Sequence, residues 1–316
     1  MLRSLCLATL LCCCVPASGA LAQTASEAAA LAAMSDKSLA KLPAKNVFGG
    51  QKLPTRSMKA RAIGSYAKGC MAGGKALAVD GPAWQVMRLS RNRNWGHPEL
   101  VALVERLAIE GKEKDGWNGL LVGDLAQPRG GPMLSGHASH QVGLDADVWL
   151  TPMPNRTLTK REREDISAKL VVKDRQTMDY KVWTEAHARL LKRAASYDEV
   201  ARLFVHPPIK AELCKWATGD KSWLAKVRPY YGHNYHFHIR INCPPGSTTC
   251  KNQAPARPKD GTGCGEELAY WMGDVPWAPK KKPEKKPDPN AKPPKPAPVM
   301  TLAALPAECR TVVTAE

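Results

Sequence analysis

The sequence predicts an α+β fold: helices packed on a small, mostly antiparallel sheet. Two observations carry this. Stretches with helical spacing alternate with short stretches of period two, and the run from about Asn46 to Asp274 has the length of one domain. A third observation is negative. The chain has no G-x-x-x-x-G-K-[ST], no G-x-G-x-x-G at a strand–helix junction, no G-x-S-x-G and no internal repeat.

The elements follow in order. Leu100, Val101, Val104, Leu107 and Ala108 recur at helical spacing within Pro98–Gly111. GLLVGD, residues 119–124, reads as a strand. From Val142 the chain alternates, with Val142, Leu144, Ala146 and Val148 on one face and Asp145, Asp147 and Trp149 on the other. Residues 160–172 and 181–194 are expected to be helical, and RLFVH, residues 202–206, a short strand. Pro207 and Pro208 open a helix through Trp216, since proline is tolerated in a helix's first turn. Tyr235 to Ile241 closes the series with the period of a half-buried strand.

That last strand carries the chemistry. His233, His236 and His238 fall within six positions of a chain that has only eight histidines. On a strand His236 and His238 share a face, while Phe237, Ile239 and Ile241 face a core. On a sheet edge both imidazoles would simply meet solvent. A second cluster, GHASHQVGLDADVWL at 136–150, holds His137, His140, Asp145 and Asp147. Imidazole and carboxylate are the donors a catalytic zinc takes, typically three of them with one position left open. His140, Asp147 and His238 form such a set, and His236 is then free to act as a general base.

The ends of the chain bear on its compartment. Arg3, the apolar run Leu5–Val15 and Ala20-Leu21-Ala22 have the pattern of a cleaved secretory leader, residues 1–22, so the protein is expected in the periplasm. The run is too short to span a bilayer comfortably, and no later stretch is long and apolar enough. Four of the ten cysteines leave with the leader; the six that remain, Cys70, Cys214, Cys243, Cys250, Cys264 and Cys309, suit disulfides in an oxidising compartment. Spacing does not choose among the fifteen pairings.

The formal net charge is +17, and loss of Arg3 leaves about +16. Such a chain seeks a polyanion. For an exported protein that is the cell wall with its free carboxylates, rather than nucleic acid. Residues 276–299, a low-complexity Lys/Pro stretch, cannot bury a core and are expected to form an extended insertion. The resulting division is a leader (1–22), an N-terminal segment (23–45), a catalytic domain (46–275), the insertion (276–299) and a tethered C-terminal segment (300–316).

H-x6-D followed far downstream by H-x-H is the signature of a zinc peptidase family that includes D-alanyl-D-alanine dipeptidases and carboxypeptidases and resembles the Hedgehog signalling domain. Within it the chain is similar to the penicillin-insensitive murein endopeptidases. The matching stretches are IGSYAKGCMAG (63–73), WQVMR (84–88), GHP (96–98), residues 136–150, KVRPYYGHNYHFHIRINCP (226–244) and GTGCGEEL (261–268). The resemblance implies a zinc-dependent hydrolase of D-alanyl–meso-diaminopimelyl cross-links in peptidoglycan, with His140, Asp147 and His238 as zinc ligands and His236 as the base. His137 and His233 match further active-site histidines, His137 as a possible metal contact and His233, with Arg88, as a candidate partner for the anionic intermediate. A second metal would draw on Asp174, but Thr177 stands where a histidine is expected. The implied disulfides are Cys70–Cys309, Cys214–Cys264 and Cys243–Cys250. Two rivals stand beside this reading: a carboxypeptidase or dipeptidase acting on free stem-peptide ends, and a basic wall-binding protein with a structural zinc.

Overall fold

The computed structural model describes residues 28–279 and 299–316. The expected leader, and residues 280–298 of the Lys/Pro stretch, lie outside the described residues.

Helices α1 (Asp36–Ala40) and α2 (Ala44–Gly50) precede the hairpin of β1 (Arg61–Ser65) and β2 (Lys68–Ala72). Strands β3 (Lys75–Ala76), β4 (Asp80–Gly81), β5 (Trp84–Val86) and β6 (Trp95–Gly96) lead to helix α3 (Pro98–Lys114). Then come β7 (Leu120–Val122), β8 (Asp145–Trp149), helices α4 (Lys160–Asp165) and α5 (Glu185–Ser196), β9 (Val200–Val205), and helix α6 (Pro207–Trp216). Strands β10 (Val227–Pro229) and β11 (His236–Ile241) and helices α7 (Glu266–Met272) and α8 (Glu308–Thr314) complete the chain.

The fold is α+β, as the sequence predicts. Its main sheet has seven strands in the order β10-β9-β11-β8-β7-β5-β4, parallel only at β10–β9 and β5–β7. It is larger than expected because the strands β4, β5 and β10, two or three residues long, are too short to leave a period in sequence, whereas β7 lies within the 119–124 stretch read as a strand. Strand β11 lies between β8 and β9, so all six of its residues are buried rather than half of them. That position also rules out the edge-strand arrangement for His236 and His238.

Helix α4 is shorter than the spacing suggests. It ends at Asp165, and Ile166 is already extended. The rest of the 160–172 stretch spends its backbone elsewhere: Val171 N–H donates to Asn234 O, and Val172 bridges Met178. Helix α5 begins after a Thr184 cap, so residues 181–184 are not helical. Strand β8 starts three residues later than the alternation does, because Gly143 turns the chain at φ 70°. A Cβ there would sit 2.1 Å from Met71 Sδ and 2.9 Å from His97 N, so both turn and contact require glycine.

Two large apolar cores result, beside a small cluster of Met87, Leu121, Trp149 and Leu158. The larger packs α3, α5 and α6 against the central sheet, through residues such as Leu107, Leu190, Ile209, Phe237 and Ile239. The smaller is built from the two ends of the described chain: Leu39, Ala44 and Phe48 meet Leu302, Cys309 and Val312 against Ile63, Cys70 and Ala72. Cys70–Cys309 clips it, and buried Arg129 donates to the carbonyls of Val312 and Ala315, each at 2.7 Å, at the end of α8. All three disulfides pair as the resemblance implies. No described helix is long and apolar enough to cross a membrane.

Candidate metal centre

Register places the site. His238 on β11 lies directly across from Asp147 on β8, and Arg240 across from Asp145. Residues two apart on a strand share a face, so Asp145 and Asp147 stand side by side opposite His238 and Arg240. Their roles diverge. Asp145 is fully buried and accepts from Arg240 Nε at 2.7 Å, His238 Nε2 at 2.8 Å and the backbone N–H of His140 at 2.9 Å. Burial alone would raise its pKa, but Arg240 and His238 outweigh burial and hold it well below the usual carboxylate range. Asp147 faces the open side instead. Burial opposes its charge too, and His140 and His236, where protonated, hold its pKa well below the usual carboxylate range.

Four rings gather around the Asp147 carboxylate. His238 Nδ1 lies 3.2 Å from Oδ1, His140 Nε2 3.5 Å and His236 Nε2 3.7 Å, while His137 Nδ1 lies 3.5 Å from Oδ2. Three of these rings are held from behind. His140 Nδ1 faces Leu125 O at 2.5 Å, His238 Nε2 faces Asp145, and His137 Nε2 faces Asp124 Oδ2 at 3.0 Å. Carbonyl and carboxylate oxygens only accept, so each of these nitrogens carries the proton. The other nitrogen of each ring then turns a lone pair toward Asp147. This is how outer partners orient imidazoles around a metal. His140 Nε2 and Asp147 Oδ1 are buried without a hydrogen-bond partner, which is costly unless something else meets them. The donor set and its orphaned atoms fit a metal ion. His137, His140 and Asp147 each bring one donor atom within 4.8 Å of the others.

Local backbone contributes. His140 adopts φ 66°, a left-handed conformation disfavoured for a residue with a side chain. Such strain costs on the order of 1–3 kcal/mol and is held here by the bonds to Asp145 and Leu125.

His236 differs from the others. Its Nδ1 is buried with no partner, and burial, more than its neighbours, keeps the ring neutral. His233 stands beside it, with ring centroids 5.0 Å apart, its Nδ1 donating to Tyr231 O at 2.6 Å. Burial, before any charge on its neighbours, lowers its pKa to about 3. Neutral, with the proton on Nδ1, His233 has Nε2 available as an acceptor rather than a donor.

Above the cluster opens a cleft of about 270 Å³, lined among others by Arg91, Asp124, His137, Trp149, Tyr235 and His236. Sequence reasoning missed Asp124 and Arg91. Asp124 ends the GLLVGD stretch, is buried, and binds His137 and Arg93; these bonds overcome burial and lower its pKa to about 2. A carboxylate closing an apolar strand was the available signal. Arg88 is otherwise engaged: its guanidinium donates to the carbonyls of Arg163, Glu164 and Ile166, closing the end of α4. Arg91 keeps its side chain about half exposed, 3.2 Å from Asp124.

The structure does not bring Asp174 to this group. Asp174 is exposed, and its carboxylate accepts from Gln176 N at 2.8 Å in a surface turn. The remaining histidines do local work: His97 caps α3 through Glu99 N, and His187 binds Thr184 and Leu150 O.

The comparisons agree with this geometry. Residues 62–314 match the sequence profile of the penicillin-insensitive murein endopeptidases. A penicillin-insensitive murein endopeptidase of Haemophilus influenzae is 46% identical over 221 residues, covering 70% of this chain and 76% of that protein. One from Klebsiella pneumoniae is 41% identical over 213 residues, covering 67% and 77%. One from Salmonella paratyphi B is 39% identical over 234 residues, covering 74% and 84%. With a match over most of its length and a buried His/Asp cluster at the foot of a cleft, the chain belongs to the penicillin-insensitive murein endopeptidase family.

Proposed function

We propose that this peptidase is a zinc-dependent endopeptidase of the periplasm that hydrolyses D-alanyl–meso-diaminopimelyl cross-links in peptidoglycan. The observation that carries it is the set of imidazoles anchored from behind whose free nitrogens converge on Asp147. Mixed nitrogen and oxygen donors suit zinc, whereas magnesium and calcium take oxygen. His140, Asp147 and His238 would hold the ion, being buried and fixed by Leu125 O and Asp145. His137, partly exposed in the cleft wall, stands next to them as a further contact. When bound, zinc would polarise the scissile carbonyl and acidify water at the site.

His236 Nε2 takes the proton of the attacking water and returns it to the leaving amine. His233 Nε2 is a second acceptor beside it. Arg91 offers the cleft a cation for a stem-peptide carboxylate. With water as nucleophile there is no side-chain nucleophile for a β-lactam to acylate. The leader pattern and three disulfides support an oxidising compartment.

The test is digestion of purified cross-linked muropeptide dimers, with zinc and with a chelator, read by mass. Metal-dependent conversion of dimers to monomers supports the proposal. Loss of only a terminal D-alanine, with dimers intact, replaces it with the carboxypeptidase reading. His236→Ala keeps its zinc and loses about 10²–10⁴-fold in turnover if His236 is the base.

A further inference from the structure

Beyond the cleft, one surface feature is not used by peptide hydrolysis. A band of aromatic rings leaves the site and runs outward. His233 lies 6.0 Å from Tyr230, Tyr230 5.7 Å from Trp271, and Tyr231 5.0 Å from Trp271 and 4.9 Å from Trp277, centroid to centroid. Tyr230 is 49% exposed, Tyr231 40% and Tyr270, next to Trp271, 51%. These rings come from two separate parts of the chain, the loop before β11 and the α7 region. Only the fold makes them continuous with the catalytic histidines.

We propose that this band is a subsite for the glycan strand of murein, an N-acetylated amino-sugar chain, and that it seats the polymer while its stem peptide enters the cleft. The inference rests on the endopeptidase reading above. Three observations carry it. First, the band is continuous with the cleft, and a stem peptide held there carries its sugar attachment with it. Second, the chemistry matches. A pyranose presents C–H bonds on its faces and hydroxyls around its rim; aromatic faces meet the former, and tyrosine hydroxyls at the exposed edge meet the latter. Third, the rings are fixed in place. Trp277 Nε1 donates to Trp271 O at 2.9 Å, Tyr231 OH bonds Pro276 O, and Arg175 stands 5.6 Å over the Trp277 ring. Pinned rings with polar tips suit a polymer lying across them.

The test compares kcat/KM of the zinc-loaded chain on two forms of one cross-linked dimer: the peptide alone, and the same peptide still on its sugars. Trp271→Ala is expected to lose about tenfold on the sugar-bearing form, through KM, and less than about twofold on the bare peptide. Trp271→Phe, which keeps a ring, restores most of the loss, and unchanged melting and zinc content show that the fold is intact. Equal losses on both forms, or no loss on either, overturn the proposal. So does a loss confined to binding of anionic phospholipid vesicles, which would make the band a membrane contact. If the unaltered chain cuts neither form, the endopeptidase reading fails, and retention on peptide-stripped glycan strands then decides. Retention that Trp271→Ala abolishes supports the subsite; absence of retention, or retention that Trp271→Ala leaves intact and deletion of residues 280–298 abolishes, overturns it.

Discussion

The candidate metal centre has two halves built on different principles. Asp147, His236 and His238 sit on β8 and β11, adjacent strands in the middle of the sheet. His137, His140 and His233 sit on loops. The strand half is positioned by ladder hydrogen bonds and by a core that fills the opposite face with Val148, Phe237 and Ile239. The loop half has no ladder. Each of its rings is tied individually, to Asp124, to Leu125 O or to Tyr231 O, and one of them stands on a strained backbone. A site can therefore combine a rigid floor, whose geometry follows from strand register, with a rim whose geometry follows from single hydrogen bonds.

The comparison can be broken most severely at the floor. Asp147→Ala is expected to abolish stoichiometric zinc and reduce dimer cleavage at least about a thousandfold. His137→Ala at the rim should retain near-stoichiometric zinc and a measurable rate. Metal analysis of the two purified variants checks this, and zinc lost equally from both would make His137 a full ligand.

Next in size is Asp145→Asn, which removes the carboxylate behind His238 without touching the cleft. Outer partners of this kind are worth about 10–100-fold in metal affinity or activity. Competition with a chromophoric chelator measures it, and an unchanged affinity would mean that Arg240 and the ladder alone orient His238.

A subtler contrast concerns backbone. At His140, φ 66° suits glycine, so His140→Gly should be more stable than His140→Ala by about 1 kcal/mol. At His238, in a central strand, the order reverses by a similar amount. Urea unfolding of the four variants reads both signs, and the same order at both sites would remove the distinction between floor and rim.

The smallest effect is the acid response near the rim. His206, whose backbone N–H binds His233 O, is lowered by burial to a pKa of about 4. A group with a depressed folded pKa contributes stability that is present above its unfolded value, about 6.5, and lost as pH falls toward 4. On the order of 1 kcal/mol should disappear over that window, after allowance for partial solvation of the ring. His206→Gln should flatten the stability profile between pH 6.5 and 4; an identical slope in both proteins would assign the acid loss to other groups.

The sequence by itself determined the elements and the chemistry. Alternation in residues 236–241 put His236 and His238 on one face, helical spacing located α3, the proline pair Pro207-Pro208 located α6, and two clusters of nitrogen and oxygen donors pointed to a metal. These are local properties, legible because a side chain's direction repeats with the backbone period. Local period failed where the backbone was spent on distant partners, as in residues 166–172, and where strands were too short to show one. The H-x6-D spacing singled out Asp147, but only tertiary structure decided what Asp145 does. β11 pairs in a register that sets Arg240 across from Asp145 and His238 across from Asp147, which makes Asp145 the buried partner behind His238. The same holds for Asp124, brought under His137 by the fold, and for Arg88, which lines the cleft while its guanidinium binds the carbonyls at the end of α4. Such assignments depend on which distant charge neutralises which buried one. That is a matter of distance in space, to which spacing along the chain is blind.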